Sequence, residues 1–339
     1  MAENITQKLN GMYERPYHAV SLSPYSFLVT GGAGFIGSNL VEYLVKYRAG
    51  KIRVLDDLST GHLHNLTAFL DYPGFEFIQG DIRDADTCRK ACAGIDFVSH
   101  QAALGSVPRS VKDPLTTNAV NIGGFLNVLD AARQAGSVRQ MVYAASSSTY
   151  GDSKVLPKIE DQIGLPLSPY AVTKYVNELY GGVFSKVYGF HTIGLRYFNV
   201  FGPRQDPDGP YAAVIPNFMR AALDRKAPRI HGDGEQTRDF TFVENAVQAN
   251  IRALLGDGFG GHEVFNIACG ERVSLNDLWK VIAGIAEVPL EPVYDPPRAG
   301  DIRDSLADIG KAVTALGYAP QFPVKKGLEI TFEYYKSIP

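Results

Sequence analysis

From residue 27 onward the chain alternates two kinds of apolar pattern. Short runs rich in apolar residues, most of them interrupted by a polar or charged one, appear at 27–29, 51–55, 75–78, 96–100, 140–145, 192–197 and 262–267. Runs of this length, bounded by turn residues, mark strands buried on both faces. Between them apolar residues recur at helical spacing. Ile36, Leu40, Val41 and Leu44 follow the first run, and Ile122, Phe125, Leu126 and Leu129 place a helix over 118–135. Further helices are expected over 84–93 and 170–188, and 59–69 reads as a loop entering a helix. Strands alternating with helices predict an α/β fold with a doubly wound parallel sheet. After residue 200 the texture changes. Gly202-Pro203, Asp206-Pro-Asp-Gly-Pro210, Gly232-Asp-Gly234 and Pro292, Pro296 and Pro297 make that part loop-rich. The pattern divides the chain into an N-terminal extension (1–26), a main domain (27–200 plus about 240–265) and a smaller mixed α/β domain (201–239 and 266–339).

The first strand runs into Thr30-Gly-Gly-Ala-Gly-Phe-Ile-Gly37. Gly32, Gly34 and Gly37 fit the spacing G-x-G-x-x-G, and Gly31, Gly34 and Gly37 fit its variant with three residues per step. Glycines here let the backbone approach a pyrophosphate, and the following helix presents free N–H groups and partial positive charge. Gly31, Gly34, Phe35, Ile36 and Gly37 are therefore candidate dinucleotide contacts. Asp56 ends the second strand, about 20 residues further on, where a carboxylate accepts hydrogen bonds from the adenosine ribose and repels a 2′-phosphate. Asp57, Leu58 and Ser59 follow without an Arg or Lys, which favours NAD over NADP. Asp81 and Ile82, after the third strand, suit the adenine edge; Asp81 serves equally as a capping residue for the helix over 84–93. Gln101 and the small residues after it leave room for a cofactor lying across the strand ends.

Bulk properties narrow the partners. The 339 residues carry a net charge of −3, with 45% hydrophobic and 20% charged residues, and no Lys/Arg run stands out. Neither nucleic acid nor an anionic membrane is called for. No apolar run is long enough to span a bilayer. Cys88, Cys92 and Cys269 lack partners at metal-ligand spacing, so no metal is expected and free thiols in a reducing cytoplasm fit best. Residues 1–26 have no apolar core and include Glu3, Glu14 and Arg15, unlike a signal peptide; at most one short helix is expected there.

Tyr170 and Lys174 stand at i and i+4, on one face of the helix over 170–188. A free tyrosine has a pKa near 10, and a neighbouring ammonium stabilises its phenolate, making it a usable base. Ser146-Ser-Ser148 lies at the C-terminal end of a strand, where open α/β sheets bind ligands.

Together these motifs resemble the extended short-chain dehydrogenase/reductases, and more narrowly the UDP-sugar 4-epimerases. The likeness begins at the Rossmann turn near Phe27 and continues to the C-terminus. It includes His100-Gln-Ala-Ala103, Asn118, Ser146-Ser-Ser-Thr-Tyr-Gly151, Arg196-Tyr-Phe-Asn-Val-Phe-Gly202, Thr237-Arg-Asp-Phe240 and Arg298-Ala-Gly-Asp301. The resemblance implies that Tyr170 is the catalytic base and that Lys174 tunes it and holds the nicotinamide ribose. It implies that Ser146 shares the sugar O4 proton; Ser147 and Ser148 are close enough to share that role, with Ser148 also a candidate sugar contact. Asn199 resembles a diphosphate contact, Arg238 and Arg298 the arginines that grip UDP, Asp301 a uridine ribose contact, and Phe240 a wall of the uracil pocket. The implied reaction removes the 4-OH proton as hydride leaves C4, turns the 4-keto sugar about its diphosphate anchor, and returns the hydride to the other face. NAD is then a resident cofactor, regenerated in each cycle.

Two features of the resemblance narrow the substrate. The related dehydratases carry acidic residues where this chain has Ser147-Ser148. A position seven residues after the Arg298 counterpart gates the sugar pocket, and here it is the small Ser305, which admits a 2-acetamido group. Interconversion of UDP-GlcNAc and UDP-GalNAc is therefore expected, with UDP-Glc/UDP-Gal secondary. The alternatives are a UDP-uronic acid 4-epimerase or decarboxylase, and a non-catalytic NAD-binding sensor or scaffold. In this family the long helices over 118–135 and 170–188 commonly build a homodimer through a four-helix bundle. A role in polysaccharide synthesis is a further expectation from the resemblance.

Overall fold

The computed structural model describes residues 11–207, 213–256, 259–297 and 303–338. Seven strands form the central sheet: β1 (Ser26–Thr30), β2 (Lys51–Asp56), β3 (Phe75–Gln79), β4 (Phe97–His100), β5 (Gln140–Ser146), β6 (Thr192–Tyr197) and β7 (His262–Ile267). All pair in parallel, in the order β7-β6-β5-β4-β1-β2-β3. The strand order reverses between β1 and β4, which is where such sheets leave a crevice at the carboxyl ends of their strands.

Alternate residues of each strand feed two separate cores, as strands buried on both faces require. Phe27, Val29, Ile52, Val54 and Val142 pack into one core, and Leu28, Leu55, Val98 and Met141 into the other. The principal helices are α1 (Phe35–Lys46), α2 (Ala85–Cys92), α3 (Val107–Lys112), α4 (Pro114–Asn118), α5 (Phe125–Gln134), α6 (Pro169–Tyr188), α7 (Val214–Leu223), α8 (Val243–Leu255), α9 (Leu275–Ala286), α10 (Gly310–Leu316) and α11 (Val324–Ser337). Helices α1 and α8 cover the first face; α2, α5 and α6 cover the second. Beyond β6, short strand pairs join Val200–Phe201 to Thr241–Phe242, Thr237–Arg238 to Val273–Ser274, and Arg229–His231 to Val293–Asp295. Among the described residues no helix is long and apolar enough to cross a membrane.

Two expectations need correction. The helix expected over 118–135 starts earlier, at Pro114, capped by Asp113, and passes through a π-helical stretch, Ala119–Gly124, before α5. Gly124 explains the tight packing there, since a Cβ on it would lie 2.5 Å from Ile82 Cδ1. The helix expected after 59 is instead two short 3₁₀ turns, Leu63–Asn65 and Thr67–Phe69, anchored by the Asn65 amide on Ala33 O (2.9 Å). The described part of the N-terminal extension contains no helix and packs as a strap across α1 and α8. Met12, Tyr13, Tyr17 and Leu22 are buried. Tyr17 stacks on Tyr43 (5.4 Å between centroids), and its hydroxyl donates to Glu244 Oε1 at 2.5 Å. Irregular backbone persists here because long-range side chains satisfy it: Tyr13 N donates to Glu244, and Tyr47 Oη donates to Tyr13 O.

Candidate active site

A cleft of about 420 Å³ opens at the carboxyl ends of β1, β2, β4 and β5. Gly31, Gly34, Phe35, Ile36, Gly37, Asp56, Ile82, Gln101, Ser146, Tyr170 and Lys174 all line it. The glycine turn is shaped for close approach. Gly31 has φ +68°, and a Cβ there would meet Ala102 N at 2.6 Å; a Cβ on Gly37 would sit 2.2 Å from Gly31 O. No side chain caps the start of α1, so its leading N–H groups are available to an anion. Asp56 accepts from Ala33 N and Leu58 N, both at 2.9 Å, while burial raises its pKa. These residues fit a dinucleotide: glycines and a helix terminus for the pyrophosphate, a carboxylate for the ribose.

Asp81 does not line this cleft among the described residues, and it is not the helix cap. Its carboxylate binds Arg83, and Asp84 caps α2 by accepting from Asp86 N and Thr87 N. Asn121 was not singled out from the sequence. It stands in the π-helical stretch, where it accepts from Leu104 N (2.8 Å) and donates to Leu104 O and Thr173 Oγ1. It thereby holds the loop after Gln101 against α6. Neighbouring glycines in a helical pattern, Gly123-Gly124, were the available signal for such an irregularity.

Tyr170 and Lys174 project from the first turns of α6, which Ser168 caps through Ala171 N. Lys174 is buried, its Nζ 2.8 Å from Ala144 O and 5.9 Å from the Tyr170 ring centre. Burial lowers the Lys174 pKa to about 8. Burial raises the Tyr170 phenol, and a hydrogen bond with Ser146 pulls it back. Ser146 also accepts from Ser148 Oγ at 2.9 Å and from Ser148 N at 3.1 Å. The nearby His100 is held neutral: burial and then the Lys174 charge lower its pKa to about 3, and its Nδ1 hydrogen-bonds Thr30 Oγ1 at 2.8 Å. The site therefore offers a hydroxyl pair, Tyr170 with Ser146, beside one buried cation.

Asn199, with φ +37°, lines both this cleft and a second one of about 870 Å³. Its side chain donates to Asp239 O at 3.0 Å. Arg238 and Phe240 line the second cleft with Arg220, Arg229 and Lys226, a cationic, part-apolar lining suited to a nucleoside diphosphate. Ser147, Ser148 and Ser305 line neither cleft among the described residues. Ser305 lies beside Arg238 in the chain packing, its amide donating to Thr237 O at 3.2 Å. Arg298 and Asp301 lie outside the described residues.

Comparison with known proteins gives consistent likenesses. Residues 27–268 match the model of the NAD dependent epimerase/dehydratase family. A UDP-glucose 4-epimerase from Mycolicibacterium smegmatis is 40% identical over 312 residues, covering 91% of this chain and 98% of that protein. A solved UDP-N-acetylglucosamine 4-epimerase from Methanobrevibacter ruminantium, in complex with UDP-N-acetylmuramic acid, superposes with TM-score 0.87 at 38% identity, covering 92% of this chain and 98% of that one. A UDP-glucuronic acid 4-epimerase from Bacillus cereus, in complex with UDP-glucuronic acid and NAD, gives TM-score 0.85 at 32% identity, with 92% and 99% covered.

Proposed function

The chain belongs to the NAD-dependent epimerase/dehydratase family, and from that premise we propose that it interconverts UDP-GlcNAc and UDP-GalNAc by inverting C4, with UDP-Glc/UDP-Gal secondary. Its cofactor is NAD, and its coarse activity is that of a UDP-sugar 4-epimerase. The observation that carries the reading is Tyr170, hydrogen-bonded to Ser146 and next to the buried Lys174, near the junction of the two clefts at Asn199. NAD, held by the glycine turn and Asp56, would supply the hydride chemistry at C4. Tyr170 takes the proton of the sugar 4-OH, and Ser146 relays it. Lys174, protonated at neutral pH, favours the phenolate. Gly31, Gly34 and Gly37 admit the cofactor diphosphate, and Asp56 orients its ribose. Arg238, Arg298, Asn199 and Asp301 hold the UDP end while Phe240 walls the uracil. The sugar itself is gripped loosely enough to turn.

The hexosamine preference rests on the resemblance, which sets the small Ser305 at the position that gates the sugar pocket in related epimerases. Ser305→Tyr is expected to cut activity on UDP-GalNAc more than tenfold while sparing UDP-Gal. Equal activity of mutant and wild type on the acetylated sugar would remove this support. The unit at work is proposed to be a homodimer joined by a four-helix bundle. Val172, Leu179, Val183 and Val187 form a stripe along α6 that is 45–64% exposed in the single chain, the pattern of a helix face that packs on another copy.

A further inference from the structure

We propose that Asn266, with Tyr150, is a positioning residue that fixes the segment bearing Ser305 to the turn bearing the catalytic serine, so that both sides of the sugar pocket hold one spacing. The inference rests on the UDP-sugar reading above for its consequence and on buried geometry for its mechanism. Asn266 lies on β7, the edge strand of the sheet, and is fully buried. Both hydrogens of its amide and its carbonyl oxygen are engaged. Oδ1 accepts from Tyr150 Oη at 2.6 Å, and Nδ2 donates to Lys158 O at 2.9 Å and to Asp308 O at 3.0 Å. One side chain thus joins three segments that are far apart in sequence.

Each segment leads to the site. Tyr150 ends the turn that begins at Ser146, and its ring packs against the Arg196 guanidinium at 4.9 Å. Arg196 in turn forms a bidentate pair with Glu178 of α6, at 2.9 and 2.7 Å, on the helix that carries Tyr170. Lys158 N donates to Leu306 O at 2.7 Å, and Asp308 N donates to Lys158 O at 2.9 Å. The same stretch is pinned on its other side: Thr237 N donates to Arg303 O, Thr237 Oγ1 donates to Asp304 Oδ1, and Ala307 N donates to Asp239 Oδ2. Ser305 therefore sits between two anchors, one at Thr237 next to Arg238 and one at Asn266 behind the serine turn. A buried amide with every partner satisfied sets such distances rigidly, because losing one bond leaves an unpaired polar atom.

The mild test is Tyr150→Phe, which keeps the ring on Arg196 and removes the phenol hydroxyl with its bonds to Asn266 and Arg196. Hydrogen exchange of the peptide covering 303–308 is expected to quicken about tenfold, while the glycine turn at 31–37 and NAD content stay as in the wild type. The ratio of kcat/KM on UDP-GalNAc to that on UDP-Gal is expected to fall roughly fivefold, since the acetamido group meets the displaced segment. Asn266→Asp, which sets a carboxylate against two carbonyl oxygens, should do both more strongly. Unchanged exchange at 303–308 in Tyr150→Phe overturns the coupling. Faster exchange with equal losses on both sugars overturns the specificity role and leaves only a structural one. Wild-type protein inactive on every UDP-sugar would overturn the proposed function and with it the specificity role, while exchange alone still decides the coupling.

Discussion

At the scale of single residues, the site rests on a few atoms whose surroundings set their chemistry. Tyr170→Phe removes the proposed base without disturbing the glycine turn. Purified mutant is expected to retain NAD and to lose 10²-fold or more in kcat; wild-type turnover in this mutant would displace Tyr170 from that role. Lys174 gives a sign for pH. Its pKa is lowered to about 8 by burial, so its ammonium is lost as pH rises through that value. Epimerisation should therefore decline on the alkaline side of pH 8, which a kcat/KM profile would read. Stability behaves the other way. The unfolded lysine holds its proton to higher pH, so this group makes the fold more stable as pH rises from about 8 toward the unfolded value. Much of this was legible beforehand, because Tyr170, Lys174, Asp56 and the glycines carry their chemistry in their spacing. Asn121 and Asn266 were not legible, because their partners lie in distant segments and only the fold brings them together.

At the scale of elements, alternating apolar runs gave the strands, and the helical period gave α1, α5 and α6. The π-helical stretch and the N-terminal strap escaped the same reading. Each is irregular backbone held by side-chain bonds across the chain, which leaves no local period. The strap makes its own prediction through Glu244, which is buried against Tyr13 N and Tyr17 Oη. Burial raises the pKa of this carboxyl to about 7. The stability it contributes is full below the ordinary glutamate range and is lost as pH rises through 7. Glu244→Gln keeps an acceptor for both tyrosine groups and removes the charge. It is expected to melt a few degrees higher than wild type at pH 8, with little difference at pH 5, by thermal denaturation. A lower melting temperature at pH 8 would show that the ionised carboxylate is needed to hold the strap.

At the scale of the whole molecule, the crevice at the sheet's reversal point meets a cationic cleft built largely from residues after 200, and Asn199 belongs to both. On the proposed reading, one holds the hydride acceptor and the other the nucleoside diphosphate. The α6 stripe predicts self-association: Val183→Glu should turn a dimer into a monomer by light scattering, with NAD still bound. The central claim is a UDP-hexosamine 4-epimerase with a resident cofactor. Its most direct test is to incubate the purified protein, without added NAD, separately with UDP-GalNAc and UDP-Gal and to separate the products. Rapid formation of UDP-GlcNAc with slower formation of UDP-Glc is the predicted result; no conversion of either sugar, even after NAD is supplied, would contradict it.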